Sequence, residues 1–241
     1  MGKVYAVGIG PGNRDNMSFR ALEALEKSDV IVGYGTYIEL VKERFSDKEF
    51  YATPMTGELR RCKRALELAE SGRTVSVICS GDSGIYGMAA LLYELNDNDT
   101  EIEVVPGITA ASAGAALLGA PLTHDFAVIS LSDRLTPWDK IEKRLKAAAE
   151  ADFAIAIYNP ASKGRPDHLK RACDILLSIL PKERICGIAR NIGREGESFK
   201  IMSLGELKDS SCDMFCTVFI GNSESFEKDG KMITPRGYRH E

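Results

Sequence analysis

The chain has 241 residues, 44% apolar and 27% charged, with a formal net charge of −4, enough to bury a core in one large or two modest domains. The negative balance disfavours a nucleic-acid partner, because sequence-independent affinity for phosphates comes from a basic surface that releases counterions. No apolar run nears the roughly 20 residues of a membrane span, and the first residues enter a strand pattern rather than a signal sequence; the expectation is a soluble, cytoplasmic protein with no membrane partner.

In chain order the pattern alternates strand and helix. "KVYAVGI" reads as a buried strand, "SFRALEALEK" as a helix capped by Ser18, and "DVIVGY" as a second strand. "ELRRCKRALELAES" places Leu59, Cys62, Leu66 and Ala69 on one helical face before Gly72 stops it, and its basic cluster over 59–64 reads as a solvated face. "TVSVIC", "GIYGMAALLYEL", "EIEVVP" and "ITAASAGAALLG" continue a βαβα series. Such a series predicts an α/β fold with a mostly parallel sheet covered on both faces.

At "LGAPLTHD", Gly119 and Pro121 break the small-residue helix, which places a boundary between an α/β domain over 1–120 and a second over 121–241. Beyond it come a strand "FAVISLS", a helix over 138–150, a strand "FAIAIY", a helix over 167–180, and strands "ICGIAR", "SFKIMS" and "CTVFIG". Two successive strands without a helix between them predict a mixed sheet. The six cysteines lie far apart with no secretory signal, so they are expected to be reduced thiols. Cys212 and Cys216 are four apart but lack neighbours to complete a tetrahedral site, so no cysteine-bound metal is expected.

The first turn, "GIGPGN", tests as a dinucleotide fingerprint and fails. Gly8, Gly10 and Gly12 are followed by Asn13 where the third glycine belongs, Pro11 lacks an N–H, and the second strand ends in "GYG" without a ribose-binding carboxylate. A nicotinamide-dependent reductase is therefore disfavoured. What remains is a tight turn at a strand's carboxyl end, and three similar loops follow: "CSGDSGIYG", "VPGITAAS" and "YNPASKGRP". Each alone is ordinary turn chemistry; four such loops at four strand ends are the signal.

Those loops, in that order, resemble the tetrapyrrole methylases, which transfer a methyl group from S-adenosylmethionine to porphyrin-derived rings. "HDFAVISLSDRLTPW", "YNPASKGRPDHL", "ARNIGREGE" and "ITPRGY" are similar to the branch that methylates carbon 17 of precorrin-3B or its cobalt-containing counterpart, cobalt-factor III, and contracts the ring in cobalamin biosynthesis. A sister methylase acting at another ring position is the alternative. The resemblance implies two α/β domains with the active-site cleft between them, a homodimer, and S-adenosylhomocysteine as the product of the cofactor. It implies cofactor contacts at Pro11, Ser80, Gly81, Asp82, Ile85, Thr109, Ala110, Asn159 and Ile192, although Ser83 stands where many relatives carry a proline.

Methyl transfer from a sulfonium needs chiefly that two reactants be held together, and among His124, His168 and His240 no histidine sits in a nucleophile-and-base motif. Ring contraction with lactone formation benefits from proton transfer, for which Asp82, His124 and Asp125 are the candidates; the plainer alternatives are a turn carboxylate for Asp82 and a hinge residue for His124. A polycarboxylate substrate calls for cations, and Arg14, Lys163, Arg165, Arg190 and Arg194 lie in or beside the loops. The absence of an extension for a redox cluster, with cysteines suited to a reducing cell, favours the cobalt-first, anaerobic branch.

Overall fold

The computed structural model describes residues 2–12 and 14–238 and divides into two compact units that meet between Ala110 and Ala111. Asn13 and His240, both weighed in the sequence, lie outside the described residues. In the first unit β1 (Lys3–Gly8), α1 (Phe19–Lys27), β2 (Val30–Tyr34), α2 (Gly35–Glu39), β3 (Glu49–Thr53), α3 (Glu58–Glu70), β4 (Thr74–Cys79), α4 (Ala89–Glu94) and β5 (Glu101–Val105) follow in order. The strands form one sheet, β3-β2-β4-β1-β5, with every pairing parallel.

Period-two alternation along these strands supplies both faces. Val4, Ala6, Val30, Val32, Val75 and Val77 pack with Cys62, Ala65 and Leu66 of α3 and Leu92 of α4. Val7, Ile31, Ile78 and Val105 pack on the opposite side with Ala21, Ala24 and Leu25 of α1 and Ile38 of α2. Ser18 caps α1 as expected, its hydroxyl accepting from the Ala21 N–H at 3.1 Å, a contact worth about 1 kcal/mol.

Two expectations for α3 change. Leu59 is 58% exposed, and Arg61, from the basic cluster, is only 4% exposed. Its guanidinium donates to Thr53 Oγ1 at 3.0 Å and to the Pro54 carbonyl at 3.2 Å, and Nη1 reaches Met88 Sδ at 3.7 Å. It therefore ties the end of β3 to α3 and to the loop before α4. Arg61→Met, which keeps the stem but strands those acceptors, is expected to cost about 1–3 kcal/mol and to lower the melting temperature by roughly 3–10 °C. An unchanged melt would return Arg61 to the solvent face.

The second unit holds α5 (Ala110–Leu118) from its second residue onward, then β6 (Gly119–Ala120), β7 (Phe126–Ser130), α6 (Trp138–Glu150), β8 (Ala154–Tyr158), α7 (His168–Leu177), β9 (Ile185–Arg190), β10 (Ser198–Ser203), α8 (Leu204–Leu207), β11 (Cys216–Ile220), β12 (Phe226–Lys228) and β13 (Lys231–Ile233). Its main sheet, β10-β9-β11-β8-β7, is mixed: β7 and β8 run parallel, and the other three pairings are antiparallel. A small sheet, β12-β13-β6, was not anticipated.

The division falls ten residues before the expected 120/121 boundary. The reason is α5, whose small residues let it lie on the second sheet: a Cβ added at Gly114 would stand 2.9 Å from Ile192 Cδ1 and 3.0 Å from the Phe219 ring, and one at Gly187 would stand 2.6 Å from Leu118. All six cysteines are free. No helix among the described residues is long and apolar enough to cross a membrane.

Candidate active site

In the first sheet the chain leaves β1 towards β2 on one side and leaves β4 towards β5 on the other, while β1 and β4 are neighbours. Open α/β sheets bind their ligands at such a switch point, outside the carboxyl ends of the strands. The loops after β1 and β4 meet there. Gly10 N–H donates to the Gly81 carbonyl at 3.1 Å and Gly81 N–H to the Gly10 carbonyl at 2.7 Å. Gly81 has φ +73°, a conformation that L side chains rarely adopt.

The loop after β5 completes the interlock through backbone contact, and a Cβ on Gly107 would stand 2.1 Å from the Gly81 carbonyl oxygen. Asp82 braces all of this: Oδ1 accepts from the Gly84 N–H at 2.8 Å and the Ile85 N–H at 3.0 Å, and Oδ2 accepts from the Gly107 N–H at 2.9 Å. Ser83, fully buried, donates to the Val105 carbonyl at 3.1 Å. The serine that departs from the family pattern thus has a partner of its own. Residues 84–88, expected to be helical, form an open loop with Tyr86 at φ +56°, and α4 begins only at Ala89.

Seven of the sequence-predicted cofactor residues therefore lie on these first-unit loops. Pro11 and Gly81 are buried, Ser80, Asp82, Thr109 and Ala110 are half-buried, and Ile85 is exposed. Ile85, Tyr86 and Ile108 stand 40%, 55% and 39% exposed, an apolar rim beside exposed loop backbone, which suits a flat purine with a thioether stem. Arg14 is exposed at the start of a 3-10 turn after β1.

In the second unit the register fixes which loops share an edge. Ser130 pairs with Tyr158 at the ends of β7 and β8, and Arg190 at the end of β9 pairs with Cys216 at the start of β11. Asn159, at φ +53°, follows β8 and donates through Nδ2 to Ser130 Oγ at 3.0 Å. Ile192 is 7% exposed and packs towards α5. Tyr158, which the sequence did not single out, accepts through its hydroxyl from the Ala111 N–H at 2.7 Å.

His124 and Asp125 lie at the other edge. Both are exposed, and the Asp125 carbonyl accepts from Ala154 N–H where β7 and β8 begin. A five-residue strand separates them from Asn159, a distance of roughly 15 Å. They thus lie at the opposite end of β7 and β8 from Asn159.

At the loop edge the structure offers a carboxylate that the sequence missed. His168, 6% exposed, brings Nδ1 within 2.8 Å of the Leu131 carbonyl. A carbonyl only accepts, so Nδ1 carries a hydrogen. Nε2 then faces Asp133 Oδ2 at 3.5 Å. Arg165 Nη1 reaches Asp133 Oδ1 at 3.4 Å and Ser132 Oγ at 2.8 Å. Trp138 lies against the imidazole with centroids 4.8 Å apart, and the Arg171 guanidinium covers the indole at 3.8 Å. Arg165, expected to grip substrate, clamps the loops after β7 and β8 through these contacts. Arg190 is likewise engaged, with Asp213 Oδ2 at 2.5 Å and the Ser211 carbonyl at 3.0 Å. Arg194 lies 5.3 Å over the Phe215 ring, and Lys163 is exposed.

Residues 3–208 match the family model of the tetrapyrrole (corrin/porphyrin) methylases. A probable cobalt-factor III C(17)-methyltransferase of Salmonella typhimurium is 48% identical, with 96% of this chain and 98% of that protein aligned. A precorrin-3B C(17)-methyltransferase of a Sinorhizobium species is 40% identical, with 98% and 97% aligned. Among solved structures, the methyltransferase CobJ superposes with a TM-score of 0.91 at 37% identity, covering 98% of this chain and all of that one.

Proposed function

Because the chain belongs to the tetrapyrrole (corrin/porphyrin) methylases, we propose that it methylates carbon 17 of cobalt-factor III, or of metal-free precorrin-3B, with ring contraction, in cobalamin biosynthesis. The observation that carries this reading is the near full-length match to carbon-17 enzymes with both substrate names. S-adenosylmethionine, the methyl donor of the family, supplies an electrophilic methyl on a sulfonium.

The protein's part is to hold and orient. The Gly10–Gly81 bridge and the Asp82 brace keep loop amides fixed before any ligand arrives, so ordering them costs nothing at the moment of reaction. Pro11, Ser80, Gly81, Asp82, Ile85, Thr109 and Ala110 are assigned to the cofactor, together with Asn159 and Ile192 of the second unit. Lys163 and Arg14 are assigned to substrate carboxylates, as are Arg190 and Arg194 through whatever donors their partners leave open.

The proton transfer that ring contraction needs is assigned to Asp133. His168 Nε2 at 3.5 Å and Arg165 Nη1 at 3.4 Å hold the Asp133 carboxylate in place at the loop edge. Asp133 keeps 36% of its side chain exposed, so the carboxylate is reachable from outside. The cytoplasm and a homodimer complete the reading, the first supported by six free thiols and the second by the family resemblance; sedimentation as a single species of chain mass would remove the dimer.

The test is incubation with cobalt-loaded and metal-free substrates, read by mass and absorbance spectra. The cobalt-loaded ring is expected to gain one methyl and contract. For Asp133→Asn, formation of the contracted product is expected to fall roughly 10²–10⁴-fold, with the affinity for S-adenosylhomocysteine unchanged. An undiminished rate would take Asp133 out of the mechanism.

A further inference from the structure

Four of the six thiols are sealed in the cores, and burial pushes them up: Cys62 and Cys173 to about 12, Cys79 to about 11, and Cys186 well above its ordinary value. Since the thiolate is the reactive form, these four are inert. Cys212 and Cys216 differ in geometry. They flank the tight turn before β11, which is closed by the Cys216 N–H donating to the Asp213 carbonyl at 3.3 Å. The turn folds back so that Cys216 Sγ lies against the backbone amide that follows Cys212, and both cysteines pack in the same apolar cluster.

The Asp213 N–H also points at Cys216 Sγ, 3.5 Å away, and Cys216 Sγ lies 3.4 Å from Asp213 Oδ1. Cys212, helped by that amide and by the Arg190 charge, holds Cys216 below the ordinary thiol range against burial and the Asp213 carboxylate. Cys212 is correspondingly raised, chiefly by Cys216. Cys216 is 3% exposed, but Cys212 is half-buried and lines an open cavity of about 720 Å³ within the second unit, walled also by Ser162, Lys163, Leu169, Met214 and Phe215. A small oxidant therefore has a route to this pair.

We propose that Cys212 and Cys216 are a modification site, a dithiol that closes to an intramolecular disulfide when met by a peroxide. One sulfur of the pair, as thiolate, attacks a peroxide oxygen; the O–O bond breaks, the departing hydroxide takes a proton and leaves as water, and a sulfenic acid remains. The second thiol attacks that sulfur, the S–O bond breaks, and the hydroxyl leaves with the thiol's proton as a second water. Two thiols lose two electrons and two protons to one hydrogen peroxide. The same turn carries Asp213 and Ser211, which hold the Arg190 guanidinium, so closing it changes the setting of a side chain assigned above to substrate. That last consequence rests on the proposed function; the disulfide does not.

The experiment treats the intact chain with stepwise hydrogen peroxide, alkylates remaining thiols after denaturation, and digests with trypsin. Both cysteines fall in one peptide, running from Asp209 to Lys228. The expected result is that this peptide loses two hydrogens and both alkyl groups before any of the other four cysteines changes, and that a dithiol reductant restores it. Oxidation of Met214 in the same peptide adds an oxygen and is told apart by mass. Cys212→Ser is expected to show no loss of hydrogens. Alkylation of both cysteines after the buried four have reacted overturns the proposal, as does sulfinic acid at either without a link, or an unchanged loss in Cys212→Ser.

Discussion

Alanine at Gly107 is expected to abolish S-adenosylhomocysteine binding and to lower the melting temperature by roughly 5–10 °C, at the upper end of the cost of overpacking. The added carbon would lie 2.1 Å from the Gly81 carbonyl oxygen and 2.6 Å from both the carbon and the oxygen of the Gly8 carbonyl. Seen from the other side, a Cβ on Gly8 would stand 2.6 Å from Gly107 N and 2.7 Å from the Gly81 oxygen. None of these is a side-chain end that can swing aside; each is backbone, at or just beyond the end of β1, β4 or β5. Relief requires the ends of β1, β4 and β5 to part, which separates the loops assigned to the cofactor. Gly35→Ala is the control, since nothing lies within 4 Å of its added carbon. Calorimetric titration together with thermal melts reads both effects. A Gly107→Ala protein that binds and melts like Gly35→Ala would mean that the interlock is not what shapes the site.

What the sequence disclosed and what it hid follow from range. β1, β2 and β4 were legible because they are short, largely apolar and almost wholly buried runs bounded by turn residues, and α1 because its capping serine stands immediately before the helix it starts. β3 was not, because it is an edge strand whose only fully buried residue is Thr53, leaving no apolar alternation to read. Arg61 looked solvated because its partners, Thr53 and Met88, lie 8 and 27 residues away. The glycine loops were legible as turns, but that the loops after β1 and β4 meet at a switch point depends on strand order, which no local pattern carries. The same holds for His124 and Asp125: nearness in sequence to a strand does not say which edge of the sheet they occupy, and the β7–β8 register does. Asp133 and His168 lie 35 positions apart and are brought together because β7 and β8 are parallel neighbours.

Asp82→Ala is expected to weaken S-adenosylhomocysteine binding roughly 10²-fold, since hydrogen bonds to a charged group contribute about 1.5–3 kcal/mol each and the change releases three amides. Those amides, of Gly84, Ile85 and Gly107, belong to two different loops, so the loss is one of shape as well as of contact. Asp82→Asn separates the possibilities more finely. Its amide oxygen can still accept from Gly84 and Ile85, but its NH₂ turns a donor towards the Gly107 N–H, and an intermediate loss of about tenfold follows. A bracing carboxylate and a proton-transfer carboxylate predict opposite kinetics. If Asp82 braces, the variant loses affinity for the methyl donor, and saturating donor restores most of the turnover. If Asp82 moves a proton, affinity is kept and turnover stays low however much donor is added. The three amides already bound to its two oxygens favour the first outcome, and measuring turnover of Asp82→Asn against donor concentration decides between them.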